Sequence, residues 1–298
     1  MCVAACVAAA VLGGGPAWAA RPTPGGGNGG GHGGGSSSTT AGIDVSYPQC
    51  EDSLPAGQAF AVVGLNGGLA NNLNPCFPEQ FAYAVTLPGG TKQPVAQVYL
   101  NTADPGNIVG DWPSPDYPGA YGTTSTPVGD CDYATGTSGP GADSPACAYI
   151  YGYDMVAGIV TPAESIEGDA PYFARVTGRF LGAQPVWLDV ETGNSWQSDT
   201  EMNIADLQGM VAAIRASTPP SAYVPVGVYS TAFQWQQITG TPTGAAAGDL
   251  AGPAWIAGAR EESDAQANCS PANAFTGGSV VLAQWFAHPY DQDLSCAG

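Results

Sequence analysis

Two acidic residues close an apolar run near the middle of the chain, with a spacing that suits acid–base chemistry. The run P-V-W-L-D-V-E ends with Asp189 and Glu191. Successive side chains of a β-strand point to opposite faces, so Trp187, Asp189 and Glu191 share one face and Leu188 and Val190 share the other. A strand end whose acids only meet water has the same pattern. The rest of the chain must therefore decide between a site and a solvated strand end.

The elements that position these acids are short β-like runs that alternate with helical or loop segments. The runs cover residues 41–47, 59–65, 95–101, 185–191, 224–230, 253–258, 279–285 and 291–295. This alternation indicates βα units and a parallel sheet. Eight such strands predict an α/β fold, an irregular (β/α)8-type barrel in one domain. A doubly wound open sheet is the alternative, but no G-x-G-x-x-G follows a predicted strand and no P-loop occurs to support a nucleotide.

A closed barrel would bring acids from distant parts of the chain together. Its first and last strands are neighbours, and active sites in such barrels gather at the carboxyl ends of the strands. We therefore expect Asp44, Asp189, Glu191 and either Asp291 or Asp293 to line one acidic mouth. Like charges in a low-dielectric cleft raise one another's pKa. A raised pKa keeps a carboxylic acid protonated, as a general acid requires.

Helices are predicted at 78–85, 149–167, 203–216 and 233–238. In the third of these, apolar residues recur at helical spacing and are assigned to the core: Ile204, Leu207, Met210, Val211 and Ile214. A long Pro- and Gly-rich insertion follows the third strand up to about residue 146, and we expect a lid or a carbohydrate-facing rim there. Calcium is an alternative role for its acids, but their spacing matches no EF-hand and favours solvated side chains: Asp104, Asp111, Asp116, Asp130 and Asp132.

The start of the chain has the pattern of an exported protein. Residues 1–19 predict a signal peptide, with an apolar run from Val3 and an A-x-A site ending at Ala19. The missing basic segment predicts a true start upstream, and a lipoprotein signal at Cys6 is the alternative. Residues 20–40 are rich in Gly and Ser and predict a disordered linker. The barrel domain is then 41–298, and no membrane contact is expected after cleavage.

Cysteine and histidine usage limits the chemistry. Six cysteines follow residue 40, and loop economy favours pairing Cys50 with Cys76, Cys131 with Cys147 and Cys269 with Cys296, although six cysteines allow many pairings. The sequence has two histidines, His32 and His288, and neither H-E-x-x-H nor G-x-S-x-G occurs. These facts argue against a metal or serine hydrolase. We expect no metal and no cofactor.

The overall charge excludes other classes of partner. Six Lys and Arg stand against 25 Asp and Glu, which gives a net charge of −19. Nucleic acids and anionic membranes attract clustered basic residues, so neither is an expected partner. We interpret most of this charge as a contribution to solubility.

Six motifs, taken in order, resemble glycoside hydrolase family 25, the lysozyme-like muramidases built on an irregular (β/α) barrel. They are G-I-D-V-S at 42–46, L-D-V-E at 188–191, V-G-V-Y-S at 226–230, P-A-W-I-A at 253–257, A-Q-W-F at 283–286 and D-L-S at 293–295. The stretch L-D-V-E-T-G-N-S-W is similar, more closely still, to a group of secreted actinobacterial-type domains related to that family. The resemblance touches strands along nearly all of residues 41–298.

The resemblance implies a role for each acid. Glu191 would be the general acid that protonates the leaving glycosidic oxygen. Asp189 and Asp44 would adjust its pKa and stabilise positive charge on the sugar ring or its 2-acetamido group. Asp293 would complete the cleft, with Asp291, which has the same strand parity, as its alternative.

Other residues are candidates for contact with the sugar. Tyr229 ends the fifth strand, while Trp187 and Trp255 are assigned to the core before they are considered sugar platforms; Trp255 is kept as a candidate contact. The second and third strands do not match the family pattern. There, we expect Asn66, Asn101 and Asp104 to be replacement substrate-binding groups.

The function that follows is a secreted, monomeric glycoside hydrolase acting on β-1,4 links of peptidoglycan or a related amino-sugar polymer. It is either released from the cell or associated with the cell wall. The alternative is a wall- or carbohydrate-binding module that uses the same barrel without catalysis. Product release from wall material separates the two.

Overall fold

Strands and helices are described for most of the chain after residue 40. The structure is a computed structural model, and it describes residues 41–108, 110–114, 124–132, 140–160, 165–242 and 247–296. The predicted signal peptide and linker lie outside these ranges, as does Asp116 of the insertion. The described residues form one compact unit.

Eight strands close into a barrel, which confirms the predicted fold. They are β1 (Ala41–Val45), β2 (Ala61–Gly64), β3 (Ala96–Asn101), β4 (Val186–Asp189), β5 (Gly227–Ser230), β6 (Ala254–Ala259), β7 (Val280–Trp285) and β8 (Gln292–Ser295). The strands follow one another in chain order around the barrel, and β8 pairs with both β7 and β1. Every neighbouring pair from β1 to β7 is parallel.

The last strand runs in the opposite direction. β8 is antiparallel to β1 and to β7, with Asp293 opposite both Gly42 and Gln284. The amino end of β8 therefore lies at the edge where the parallel strands have their carboxyl ends. There, the backbone N–H of Asp44 donates to the carbonyl of Asp291 over 3.4 Å.

Six α-helices surround the described barrel strands. They are α1 (Phe77–Ala84), α2 (Pro145–Ala157), α3 (Asp169–Thr177), α4 (Thr200–Ala216), α5 (Ala232–Thr239) and α6 (Glu262–Asn268). Three predicted helices are confirmed as α1, α4 and α5, with small differences at their ends. Within the described ranges, no helix is both long enough and apolar enough to cross a membrane.

The predicted helix at 149–167 is wrong in its bounds. Ser144 caps α2 by accepting from the N–H of Cys147, so the helix begins earlier, and it ends at Gly158, whose φ of 83° favours glycine. A short hairpin, Ile159–Val160 with Ser165–Ile166, follows. A second helix, α3, then begins at Asp169. The predicted helix thus covers the second half of α2 and the hairpin, and α3 was not predicted.

The barrel wall has two unlike faces. Outward side chains such as Ile43, Val63 and Leu188 are buried in the main core under the helices. Four of the five α4 residues assigned to the core are fully buried there, and Ile204 packs against them. Inward side chains form a separate aromatic cluster that includes Phe60, Trp187, Trp255 and Leu282. The alternation along β4 predicted this division.

The insertion after β3 has its own small core. Trp112 stacks on Tyr151 of α2, with 5.5 Å between the ring centres. A disulfide joins Cys131 to Cys147 in the same cluster. The insertion is thus fastened to α2, which packs closely on α4.

The three predicted disulfides are confirmed. Cys50 pairs with Cys76, Cys131 with Cys147, and Cys269 with Cys296. Each bond closes a loop of 16 to 27 residues in sequence, and such cross-links restrict the unfolded chain.

Candidate functional site

Three carboxyl groups from β1 and the end of β4 meet at one mouth of the barrel. Burial raises the pKa of Asp189 well above its usual value, and the charges of Glu191 and Asp44 raise it further. Burial also raises the pKa of Asp44 to about 7, with further contributions from Asp291 and Glu191. The pKa of Glu191 is raised by burial as well. The side chains that the sequence placed together are therefore close enough to act on one another.

Access to solvent differs among these acids. Asp44 and Glu191 are partly exposed, whereas Asp189 is buried. A protonated, partly exposed carboxylic acid can donate its proton to a bound ligand, while a buried neighbour acts through its charge. Glu191 and Asp44 are thus the acids that a ligand reaches first.

A relay of hydrogen bonds holds Asp189 in place. Its Oδ2 accepts from Nδ2 of Asn101 over 3.0 Å. The backbone N–H of Asn101 donates to Oδ1 of Asn66 over 2.9 Å, and Nδ2 of Asn66 donates to Oδ1 of Asp169 over 2.9 Å. Through this relay, α3 supports the acid at the end of β4.

The relay changes the interpretation of two predicted substrate groups. Asn66 is 0% exposed and its amide is occupied by Asp169 and by backbone groups. It has no free surface for a sugar and instead positions Asn101. Asn101 does reach the mouth and is partly exposed, although its Nδ2 is engaged by Asp189.

A second set of hydrogen bonds fixes Asp44. Nε2 of Gln284 donates to Oδ2 of Asp44 over 2.9 Å, and the Tyr229 hydroxyl donates to Oε1 of Gln284 over 2.8 Å. This bond from Gln284 lowers the pKa of Asp44, against the effect of burial. Tyr229, partly exposed at the end of β5, thereby lies at the mouth, as predicted.

The floor of the mouth is aromatic. Trp255 lies 4.4 Å from Tyr229, 5.7 Å from Trp187 and 6.5 Å from Tyr99, measured between ring centres. Both tryptophans are 2% exposed, which confirms their assignment to the core. Trp255 therefore supports the site from below, and the partly exposed rings of Tyr99 and Tyr229 reach the surface.

The two candidate acids of β8 lie at different depths. Asp293 is 0% exposed, and its side chain is hydrogen-bonded to that of Trp255. Burial, followed by the charge of Asp44, raises its pKa well above the usual range. Asp291 is partly exposed and its Oδ1 accepts from the N–H of Ala287. Asp291 thus borders the mouth, and Asp293 lies beneath it, close to Asp44; that Asp293 completes the cleft stays a prediction.

Asp104 also belongs elsewhere. It is 0% exposed, and its Oδ1 accepts from Nε2 of Gln197 and from the N–H of Gly106. Burial raises its pKa to about 6, and the acids around it are Asp143 and Asp199, not those of the mouth. Its predicted sugar contact is therefore corrected to a buried position beneath the insertion. Within the described ranges, no group of three His, Cys, Asp or Glu is arranged to hold a metal ion.

Two glutamines that contact the acids of the mouth were missed in the sequence. Gln284 occurs inside the A-Q-W-F motif, where its strand parity could have pointed to an inward position. Gln234 follows β5, in the first turn of α5, and its side chain hydrogen-bonds to Glu191. No local pattern marks Gln234, since its partner lies in another segment.

A family model and one curated protein match parts of this chain. A family model described as Lysozyme-like protein 1 matches residues 172–268, which include Asp189, Glu191, Tyr229 and Gln234. Together with the L-D-V-E motif and the closed barrel, this match defines a lysozyme-like domain. The chain carries a domain related to glycoside hydrolase family 25, as the motifs predicted.

One curated protein supports the same relationship over a shorter range. It is the Probable GH family 25 lysozyme 2 of Dictyostelium discoideum, 41% identical over 59 residues, which are 20% of this chain and 25% of that protein. The chain thus matches about a quarter of the length of this relative.

Solved structures of low identity are also similar. The bacterial lysozyme from Streptomyces coelicolor matches with a TM-score of 0.48 and 17% identity, over 88% of this chain and 93% of that one. The muramidase from Acremonium alcalophilum matches with a TM-score of 0.45 and 15% identity, over 86% and 92% respectively.

Proposed function

We propose that this protein is a glycoside hydrolase that cleaves β-1,4 links of peptidoglycan or a related amino-sugar polymer. The observation that carries the proposal is the meeting of Asp44, Asp189 and Glu191 at one barrel mouth, each with a raised pKa. Glycoside hydrolysis uses a carboxylic acid to protonate the leaving oxygen and a second carboxylate as base, nucleophile or stabiliser of positive charge, and water then adds at the anomeric carbon as its proton returns to the acid.

Glu191 is the general acid in this proposal. It is partly exposed, and its raised pKa keeps more of it protonated near neutral pH than an ordinary glutamic acid. The proton passes from its carboxyl group to the glycosidic oxygen as the bond to the leaving sugar breaks.

Asp189 and Asp44 are the electrostatic partners. As the glycosidic bond breaks, positive charge develops on the ring or on its 2-acetamido group, and a fixed carboxylate stabilises this charge without rearrangement. The hydrogen bonds from Asn101 and Gln284 hold these two acids in place. Asp291 adds a further negative charge at the rim beside Asp44.

The proposal extends to place and assembly. Three disulfides are typical of proteins that work outside the reducing cytosol, so we expect the enzyme to be exported and to act on wall material. The proposal takes the enzyme to act as a monomer.

The test is the release of reducing ends from purified cell wall. Glu191→Gln should lower turnover by about 10²–10⁴-fold, the usual contribution of a general acid. Glu262→Gln, an exposed change on α6, is the matched control and should behave as the wild type. Wild-type turnover that survives in Glu191→Gln contradicts the assignment. A wild type that binds wall material without releasing product favours the binding module instead.

A further inference from the structure

Gln234 connects α5 to the segment that carries Glu191. The Thr231 side chain caps α5 by accepting from the N–H of Gln234 over 3.1 Å, which sets where the helix begins. From this first turn, Oε1 of Gln234 accepts from the N–H of Thr192 over 2.6 Å and from its hydroxyl over 3.0 Å. The residue next to Glu191 is thus tied to the helix.

These bonds determine which end of the Gln234 amide faces Glu191. A backbone N–H can only donate, so the oxygen of the amide must point to Thr192. The NH₂ group is then directed to the carboxyl group of Glu191, to which the side chain is hydrogen-bonded. One glutamine therefore holds both the backbone and the side chain of this short segment.

The segment is also fixed on its other side. The carbonyl of Glu191 accepts from Nε1 of Trp196 over 2.8 Å and from the N–H of Asn194 over 3.1 Å. Because the backbone is held at both points, the remaining freedom of Glu191 lies in its side-chain torsions. The amide of Gln234 restricts those torsions at the carboxyl end.

The other ionisable groups around Glu191 are acids and phenols. They are Asp189 on its own strand, Asp44 on β1, Tyr99 on β3 and Tyr229 on β5. Asp291 lies beside Asp44 on the approach to β8. The bond from Gln234 opposes the effect of burial and lowers the pKa of Glu191.

We propose that Gln234 is a positioning residue that holds the carboxyl group of Glu191 in the orientation from which it donates its proton. The inference rests on the function proposed above and assigns to α5 a part in the reaction. Gln234 itself does not exchange protons, and its effect reaches the substrate through Glu191.

Loss of the bond between Gln234 and Glu191 should shift the pH profile of activity in a predictable direction. A general acid works when protonated, so activity falls as the pH rises through its pKa. Loss of a hydrogen bond that lowers this pKa moves it upward. The alkaline limb of the profile should then move to higher pH, while turnover at the optimum falls because the acid is less well oriented.

The experiment compares Gln234→Leu with Gln237→Leu, an exposed change on the same helix. Turnover of purified wall is measured against pH, and the carboxyl carbon of Glu191 is titrated by ¹³C NMR, with Glu191→Gln to assign its signal. We expect kcat of Gln234→Leu to fall about 10-fold, the size of one hydrogen bond to an ionisable group. KM should stay the same, the alkaline limb and the NMR titration should both move upward, and Gln237→Leu should match the wild type.

Gln234→Glu is a second variant that tests the inference if Gln234→Leu does not fold. It keeps an oxygen for Thr192 but replaces the NH₂ donor, so the titration of Glu191 should move further upward. An unchanged titration of Glu191 in a folded Gln234 variant overturns the inference. If the wild type releases no product but the NMR titration moves as expected, the positioning contact stands and the proposed hydrolase function fails.

Discussion

The barrel mouth and the contact between α2 and α4 both contain buried acids with raised pKa values, yet they differ in access. At the mouth, Asp44 and Glu191 are partly exposed and each accepts a hydrogen bond from a glutamine amide. Asp206 of α4 is 0% exposed, and neither of its carboxyl oxygens has a partner among the described residues. Its pKa is raised by burial and then by the charge of Asp104.

The difference teaches that a raised pKa alone does not mark a site. Burial raises the pKa of any carboxyl group, whether or not a ligand can reach it. Access to solvent, neighbouring acids and fixed amide donors together distinguish the mouth. The contact of α2 with α4 lacks access to solvent, because Gly152 lets α2 lie directly on the backbone of Asp206.

The largest expected contrast between the two regions is in activity. Asp189→Asn removes an ionisable group beside the proposed general acid but keeps the size of the side chain, so kcat should fall about 10²–10³-fold. Asp264→Asn, an exposed change on α6, is its control. Turnover of solubilised wall fragments measures both, and an Asp189→Asn enzyme within twofold of the wild type removes Asp189 from the mechanism.

An intermediate effect is expected from the amide that serves Asp44. Gln284→Leu removes a bond that lowers the pKa of Asp44, which already stands at about 7. A smaller fraction of Asp44 is then ionised near neutral pH. The acidic limb of the pH profile of turnover should therefore move to higher pH, and turnover at about pH 6 should fall about tenfold. The exposed Gln266→Leu on α6 is the control. An acidic limb that does not move argues against a role for ionised Asp44.

The smallest effect on activity is expected at the helix contact, where stability should change instead. Asp206 has a folded-state pKa above its unfolded value, so its contribution to stability is present below the unfolded pKa and is lost as pH rises through the folded pKa. Asp206→Leu removes this unpaired group. We expect the variant to gain about 1–2 kcal/mol in the free energy of unfolding at about pH 7.5, and less at about pH 4.5.

Urea unfolding at the two pH values, with the disulfides intact, measures this change. Wall turnover should remain that of the wild type, which would separate the helix contact from the mouth. Loss of activity in a stable Asp206→Leu protein would show that the two regions are coupled.

Several features of the fold and the site could be predicted from the sequence of single segments, because their physical causes lie within those segments. The alternation of Trp187, Asp189 and Glu191 with apolar residues gave the strand, its inward face and the pairing of two acids. The spacing of apolar residues on α4 gave its buried face. The disulfides joined neighbouring cysteines, as economy of loop length predicted.

The roles of the polar side chains did not follow in the same way. Asn66 and Asp104 were expected at the substrate, but both are fully buried and serve other parts of the chain. The preference for Asp293 over Asp291 used a sequence motif, whereas their depths depend on where β8 passes through the barrel wall.

The sequence by itself indicated the eight strands and the acids that meet at one mouth, since periodicity and composition are properties of short segments. Loop length favoured the disulfide pairs that the structure has, but left other pairings open. Tertiary structure alone decided which amide serves which acid. Gln284 reaches Asp44 across 240 residues of sequence, and Gln234 reaches Thr192 across 42. Such partners become neighbours only when the barrel closes and each helix takes its place, so no local pattern records them.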